Sequence, residues 1–300
     1  MLARGQEFKP LVSPSEKKPR FDGGSILYSL LRDNFQTTTW LCFGAFAQTV
    51  LFVLADKFAV GRLALIPAAL VLAYRTLDAY LMSIGWKHNI YMDGIIQKKY
   101  STAFPDELGH YGNKPAKNDI VVFLIGTRSN HPMGMFAPGV KDINEYFGQM
   151  AKDLDKHADE FGFLGMTSWL NSSNRKTNNE IMQVCYFRSV EGLHKFAHSE
   201  YHRKGWDWWN KNFKSFPYMS IYHETYHVPK GNWESIYVNS HVSGLNATTH
   251  KFTDEMTGQE MYASPIVDAS KGLLKTSAGR MARSNATEHD KYDEDPYQNQ

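Results

Sequence analysis

The sequence has few cysteines and lacks the motifs of several large enzyme classes. Its 300 residues include two cysteines, Cys42 in an apolar run and Cys185 in a predicted strand. This number excludes the disulfide framework of a small secreted domain. No glycine-rich phosphate loop, Gly-x-Ser-x-Gly elbow or dinucleotide fingerprint occurs, which argues against kinases, hydrolases of that type and NAD-dependent dehydrogenases. The net charge is +2, and no stripe of basic and aromatic residues supports nucleic-acid binding.

Charge is also absent from one long segment near the N-terminus. No residue from Phe35 to Ala55 is charged, and a helix of this length rises about 30 Å, the thickness of a bilayer's hydrocarbon core. A second apolar run, Leu63 to Trp86, is interrupted by Arg75 and Asp78. We predict a transmembrane helical hairpin over residues 34–88. A cleaved signal peptide and a pair of buried core helices are the alternatives.

Basic residues flank this hairpin on both sides and are fewer between its helices. Because cytosolic loops carry an excess of lysine and arginine, both ends of the chain are predicted to be cytosolic. The residues concerned are Lys17, Lys18, Arg20 and Arg32 before the hairpin, Lys57 and Arg62 within it, and Lys87, Lys98 and Lys99 after it.

A compact domain is predicted over residues 118–244. Its apolar patterns give strands and helices in the order β-α-β-β-α-β, an α+β arrangement of the ferredoxin-like type. The strands are Asp119–Gly126, Phe163–Leu170, Ile181–Arg188 and Tyr218–Val228, with helices from Pro138 to Glu160 and from Ser189 to Phe213, and a short strand at Trp233–Asn239. Residues 1–33 are predicted to be a flexible polar N-terminus, 89–117 a connector and 245–300 a loosely ordered tail.

The predicted sheet is apolar on both faces, as the runs Ile120–Ile125 and Val184–Phe187 show. In this arrangement both helices cover one face, so the other needs a cover as well. The same sheet of a second copy would supply it, and we predict a homodimeric α/β barrel.

Histidine stands out in the second predicted helix. His194, His198 and His202 recur every four residues and form one stripe, which Trp206 and Trp209 extend. Imidazoles in an aromatic cleft suggest a small-molecule site; the alternative is ordinary satisfied or solvent-facing helix residues. The zinc motif His-Glu-x-x-His is absent because Ser199 follows His198, so no metal is predicted.

The fourth strand carries a second cluster, from Tyr222 to His227. Strand alternation places His223 with Met219 on one face and Glu224 with the flanking tyrosines on the other. An imidazole near neutral pKa accepts protons readily, and a buried glutamate between tyrosines would have a raised pKa. A polar network linking two subunits is the alternative.

Three segments, Phe196–Trp209, His223–Tyr226 and Gly231–Asn239, resemble the α/β-barrel proteins related to the antibiotic-biosynthesis monooxygenases, in particular the membrane-anchored fungal members of secondary-metabolite pathways. The resemblance implies a monooxygenase-type enzyme that acts on a lipophilic terpenoid or polyketide intermediate at the cytosolic face of the endoplasmic reticulum membrane, without a cofactor. The predicted catalytic residues are His202, His223 and Glu224. The predicted substrate-binding residues are His198, Trp206, Trp209, Tyr226 and Trp233.

The superfamily hosts several reactions, so three alternatives stay open. The first is a non-oxidative cyclase or dehydratase that uses the same acid and base. The second is a haem enzyme, with His223 or His227 as the axial ligand. The third is a membrane-tethered binding subunit without catalysis.

Overall fold

The computed structural model describes residues 7–19, 26–172 and 178–283. The chain divides into two compact units. One is Ile26–Ile95; the other joins Met1–Ser25 to Ile96–Gln300.

The smaller unit contains the predicted hairpin. It consists of α1 (Ile26–Asp33), α2 (Thr37–Asp56) and α3 (Ile66–Ser83). Two helical stretches, Thr37–Asp56 and Gly61–Ser83, are long and apolar enough to cross a membrane. The turn between them is tight: a Cβ on Gly61 would lie 3.0 Å from the Asp56 carboxylate. The helices of the predicted hairpin are therefore present.

The larger unit contains the remaining strands and helices. Their bounds are β1 (Ile95–Thr102), β2 (Ile120–Ser129), α4 (Val140–Lys156), α5 (Ala158–Phe161), β3 (Phe163–Leu170), β4 (Asn178–Phe187), α6 (Val190–His198), α7 (Glu200–Asn212), β5 (Met219–Val228), β6 (Tyr237–His241), β7 (His250–Thr253), β8 (Glu260–Ala263), β9 (Ile266–Asp268) and α8 (Ser277–Arg280).

Strands β2 to β5 form one antiparallel sheet in the order β3-β4-β2-β5. With the intervening helices, this order is that of a ferredoxin-like domain. The predicted α+β fold is confirmed in this respect.

One face of this sheet packs under the helices. Val121, Cys185 and Phe187 point to this side, where they meet Leu154 of α4 and Phe196 of α6 in one buried cluster. The apolar stripe of α4 has the three- and four-residue spacing that the sequence predicts. The sheet and the helices therefore enclose the main core.

The opposite face is partly covered by the same chain. Phe104, Trp233 and Leu245 pack there against Ile120 and Leu164. The prediction that a second copy is needed to cover this whole face is therefore wrong for the part that the same chain covers. The uncovered part, which we call the open face, consists of Leu124, Val184, Met182, Trp169, Tyr222 and Tyr226; Trp169 and Tyr226 are 48% and 50% exposed.

The prediction of a loosely ordered tail from residue 245 is wrong through residue 283, and residues 284–300 lie outside the described part. Strand β9 pairs with β1, and β7 pairs with β8. The polar composition is misleading because several of these polar residues are buried in the fold: Asn246, which is fully buried, accepts a hydrogen bond from Thr102 at 2.7 Å. Residues 89–117 likewise contribute β1, which lies between β6 and β9.

The prediction of a flexible N-terminus over residues 1–33 is also wrong for residues 7–19 and 26–33. Phe8 is 3% exposed and packs against Val267 and Leu274. The Leu11 amide donates to the Ile266 carbonyl at 3.0 Å. Residues 26–33 form α1. Residues 1–6 and 20–25 lie outside the described part.

Candidate active site

An apolar cavity lies between the ferredoxin-like sheet and its helices. Its volume is about 90 Å³. Strands β2, β3 and β4 form its floor and helices α4, α6 and α7 its roof. The lining residues are Phe123, Ile125, Phe147, Met150, Ala151, Leu154, Met166, Gln183, Cys185, Phe187, Leu193, Phe196, Ala197 and His202. Burial raises the pKa of Cys185 to about 12, so its thiol stays protonated.

His202 is the titratable imidazole in the cavity wall. Its ring lies between Phe196, edge-on at 5.8 Å, and Trp206, stacked at 6.3 Å. Burial lowers the pKa of His202, and repulsion from His198 and His223 lowers it further, while a hydrogen bond to the Ala197 backbone acts in the opposite direction. The ring is therefore neutral at physiological pH. With one nitrogen bound to Ala197, the other is left as a proton acceptor.

His223 lies on the same side of the sheet as His202. It pairs in register with Ile125, a residue of the cavity floor, and residues directly opposite each other on neighbouring strands point to the same face. Its ring lies 5.5 Å from Phe123, another floor residue, and is exposed. The two predicted bases are thus brought together at one site.

The predicted single helix from Ser189 to Phe213 is interrupted. At Ser199 the backbone is extended, with φ −72° and ψ 162°, which ends α6 and starts α7. The predicted stripe of histidines is therefore broken, and His198 is exposed at the end of α6. The Ser199-Glu200 pair is a helix-start signal that would have located the break.

Four other predicted site residues lie away from the cavity. Trp209 packs in a separate cluster with Ala137, Val140 and Met219. Glu224 and Tyr226 point to the open face, where the tyrosine hydroxyl donates to the carboxylate. Trp233 is buried on the other side of the sheet, where its indole donates to the Asn118 carbonyl at 2.7 Å. The prediction that Trp209 and Trp233 shape the same pocket as His202 is wrong, because Trp209 packs further along α7 and Trp233 packs on the other side of the sheet. Glu224 and Tyr226 lie on the face opposite His223, as strand alternation predicts.

Sequence reasoning missed the cavity residues of α4 and one polar residue of β4. Phe147, Met150 and Leu154 have the spacing of an apolar helix face, which does not distinguish a cavity wall from a packed core. Gln183, a single amide in the apolar strand sequence Ile181 to Phe187, also lines the cavity. A lone polar residue on the helix-facing side of a buried strand is the signal that would have identified it.

The haem alternative does not fit these residues. Nε2 of His227 lies 3.1 Å from the Asp119 carboxylate, and His223 lies at the exposed edge of the sheet. The cavity is much smaller than the ~300–1,000 Å³ typical of sites that enclose a drug-sized ligand or cofactor. No cluster of three metal-binding side chains occurs in the described residues.

The fold and the cavity place the protein in a class: α+β proteins of the ferredoxin-like type with an apolar cavity under the helices. Residues 120–245 match the model of a family described as Monooxygenase af470-like. Over 278 residues the chain is 32% identical to Monooxygenase af470 of Aspergillus fumigatus, an alignment that spans 93% of this chain and 98% of that protein. The chain belongs to the Monooxygenase af470-like family.

Matches among solved structures are more distant. One is SnoaB, a cofactor-independent oxygenase from Streptomyces nogalater, at 12% identity and a TM-score of 0.26 over 36% of this chain and 91% of that chain. Another is an aldoxime dehydratase, at 13% identity and a TM-score of 0.35 over 49% of this chain and 42% of that chain. Similarity at this level carries no information about the reaction.

Proposed function

We propose that the protein is a membrane-tethered monooxygenase that oxidises a lipophilic terpenoid or polyketide intermediate of secondary metabolism. The observation that carries the proposal is His202 in the wall of an apolar cavity, where burial favours the neutral ring that accepts protons. Membership of a monooxygenase family supports the reaction class.

An imidazole base suits a reaction without a cofactor. His202 removes a proton from an acidic substrate, and the electron-rich anion then reduces O₂ directly. One oxygen atom enters the product and the other leaves as water, so a CH₂ group becomes a carbonyl and the substrate supplies the electrons. His223, which is exposed beside the cavity floor, is positioned to relay the proton to solvent.

The size of the cavity limits how the substrate binds. At about 90 Å³ it is smaller than sites that enclose a drug-sized ligand, which measure ~300 Å³ or more. We infer that only the reacting end of the substrate enters. The rest lies against exposed aromatic surface such as Trp206, which is 54% exposed.

The chain on either side of the hairpin supports a double crossing of the membrane. Residues before and after it bond to each other in one compact unit: the Phe8 amide donates to the Gly112 carbonyl at 2.8 Å. Both flanks therefore lie on one side of any membrane, which requires an even number of spans. Two helices of sufficient length meet this requirement. We place both flanks in the cytosol, at the endoplasmic reticulum, from the basic residues and the family resemblance.

Glycosylation tests this orientation. A luminal domain would carry sugar at Asn171, which is exposed and starts an Asn-Ser-Ser sequon. The sequon at Asn246 is not a useful reporter because that side chain is fully buried. We expect Asn171 to remain unmodified in the native host, and glycosidase-sensitive sugar there would invert the topology.

We further propose that the open face binds a second copy to complete a dimeric barrel. Trp169 and Tyr226 are large aromatic side chains on this face that are about half exposed. Leu124 and Val184, between them, are half-buried. Pairing of two open faces would remove this apolar surface from water.

Oxygen isotope labelling of the full chain in nanodiscs tests the reaction. Under ¹⁸O₂ with the pathway intermediate, we expect one labelled oxygen per product molecule. Conversion that proceeds equally without oxygen would establish the non-oxidative cyclase or dehydratase instead. Binding of the intermediate without turnover would establish a binding subunit.

A further inference from the structure

The cavity contains one buried polar atom that has no partner. Oε1 of Gln183 is inaccessible to solvent and receives no hydrogen bond, although the residue lines an otherwise apolar wall. Buried side-chain acceptors are nearly always satisfied, because leaving one unpaired is costly. Because Gln183 lines the cavity, a donor on a ligand that fills the cavity is the candidate partner.

The position of Gln183 is fixed by the sheet. It lies on β4 between Ile125 of β2 and Ser168 of β3, both in register with it. The strand therefore holds the backbone of Gln183 rigidly while the amide projects to the helix side. His202 approaches from α7 in the roof, so the two side chains provide polar groups on opposite walls.

We propose that Gln183 is a specificity-determining residue that selects ligands carrying a hydroxyl or N–H donor at the end that enters the cavity. The donor bonds to Oε1 of Gln183 and so orients the ligand beneath His202. A ligand of the same shape without a donor leaves Oε1 unpaired and binds more weakly. This inference rests on the proposal that the cavity is the substrate site.

Phenol and toluene form a suitable probe pair because they have nearly the same shape and differ in the donor. A closed apolar cavity of about 150 Å³ binds benzene; this one is smaller, about 90 Å³, but is not closed. Binding to the full-length protein in nanodiscs is measured from the shift of the melting temperature at several ligand concentrations. The ratio of the two affinities is compared between variants, so that partition into lipid cancels.

In the unsubstituted protein we expect phenol to bind roughly five- to tenfold more tightly than toluene, the range of one net hydrogen bond. Gln183→Met keeps the length of the side chain, removes the acceptor and should bring the ratio close to one. Gln149→Met removes an exposed amide of α4 that bonds to Asp153, and it should leave the ratio unchanged.

Three results would overturn the proposal. The first is equal binding of phenol and toluene to the unsubstituted protein, a measurement that needs no folded variant. The second is a phenol preference that survives Gln183→Met. The third is a preference that is kept in Gln183→Met and lost in His202→Gln, which would show that the imidazole of His202, and not Gln183, accepts the hydrogen bond from the ligand. None of these measurements uses turnover, so failure of the oxygenase proposal is detected separately by isotope labelling.

Discussion

His202 on α7 and His223 on β5 lie on the same side of the sheet, and positive charge on His223 lowers the pKa of His202. Burial is the larger cause of that shift. The pair therefore consists of a half-buried imidazole next to an exposed one. Protonation of the exposed ring makes protonation of the buried ring harder.

The electrostatic link between the two histidines can be measured without a substrate. His223→Leu removes the repulsion and should raise the pKa of His202, whereas His223→Lys makes the charge permanent and should lower it. NMR titration of ¹³C-labelled histidine gives both values. His110→Leu, at an exposed histidine near Glu7, is the matched control and should not change the titration of His202.

Replacing His202, the proposed base, should abolish most turnover. His202→Gln keeps a polar side chain but accepts no proton, and a general base contributes roughly a hundredfold to rate. Oxygen uptake with the substrate measures the loss, and an unchanged melting temperature shows that the fold is intact. His131→Ala, in the loop after β2, should retain activity. Full activity of His202→Gln would remove this residue from the mechanism.

The rate of substrate oxidation should fall at acidic pH and stay constant near neutral pH. Because burial lowers the pKa of His202, the ring stays neutral throughout the neutral range, and the rate should be constant there. As pH falls through the lowered pKa the ring gains a proton and the rate should fall. A rate profile that decreases already at pH 7 to 8 would show that another group is the base.

His250 should make the protein sensitive to acid. It is fully buried, both its ring nitrogens lack partners, and burial lowers its pKa from 6.5 to about 3. Between these values the unfolded chain binds a proton that the folded chain does not, so the free energy of unfolding falls by about 1.4 kcal/mol per pH unit of acidification. His250 begins strand β7.

Thermal unfolding at pH 7 and pH 5 tests this role of His250. The difference in melting temperature should be smaller for His250→Leu than for the unsubstituted protein. His131→Leu should leave the difference unchanged. An equal acid sensitivity in all three proteins would show that other groups cause it.

The hairpin should be removable only if the N-terminal segment is kept. Replacing residues 26–94 by a glycine-serine linker should release a soluble domain. Deleting all residues before 95 also removes Phe8, whose loss should cost about 3 kcal/mol or more because it packs in a buried cluster. Denaturant unfolding compares the two, and equal stability would show that the segment contributes nothing.

Association through the open face can be tested at an exposed position. Trp169→Asp should leave a single chain folded, because the residue is 48% exposed, yet it should prevent pairing of two open faces. Val184→Asp, which places a charge in a half-buried site, should impair association or folding. Met256→Asp, in an exposed turn, is the control. Light scattering that shows a monomer before any substitution would refute the dimer.

The repeating apolar patterns of the sequence predict the ferredoxin-like domain closely. The predicted strand Phe163–Leu170 has the same bounds in the structure. Local periodicity cannot reveal the second sheet, because β1 pairs with β9 and Tyr100 lies opposite Asp268. Strand β9 is too short to show a periodic pattern and β1 is mostly polar, so their pairing is specified by contacts between distant segments.

The candidate site is predictable from the sequence only in part. Strand alternation places His223 and Glu224 on opposite faces, as the structure has them. Helical spacing identifies His202, but Trp209 lies two turns further along α7 and packs beyond the cavity against Ala137, Val140 and Met219. Gln183 is visible in the sequence as a lone polar residue in an apolar strand, but its unpaired acceptor is a property of the packed structure.

The bridge between Pro10 and Val267 imposes an order on biosynthesis. The two residues are 257 positions apart, and translation at about 5–20 residues per second separates their emergence by roughly 10–50 s. The apolar hairpin is synthesised within that interval. The N-terminal segment must therefore wait, unpaired, while the hairpin and the rest of the domain are synthesised, and it pairs only after the last strand leaves the ribosome.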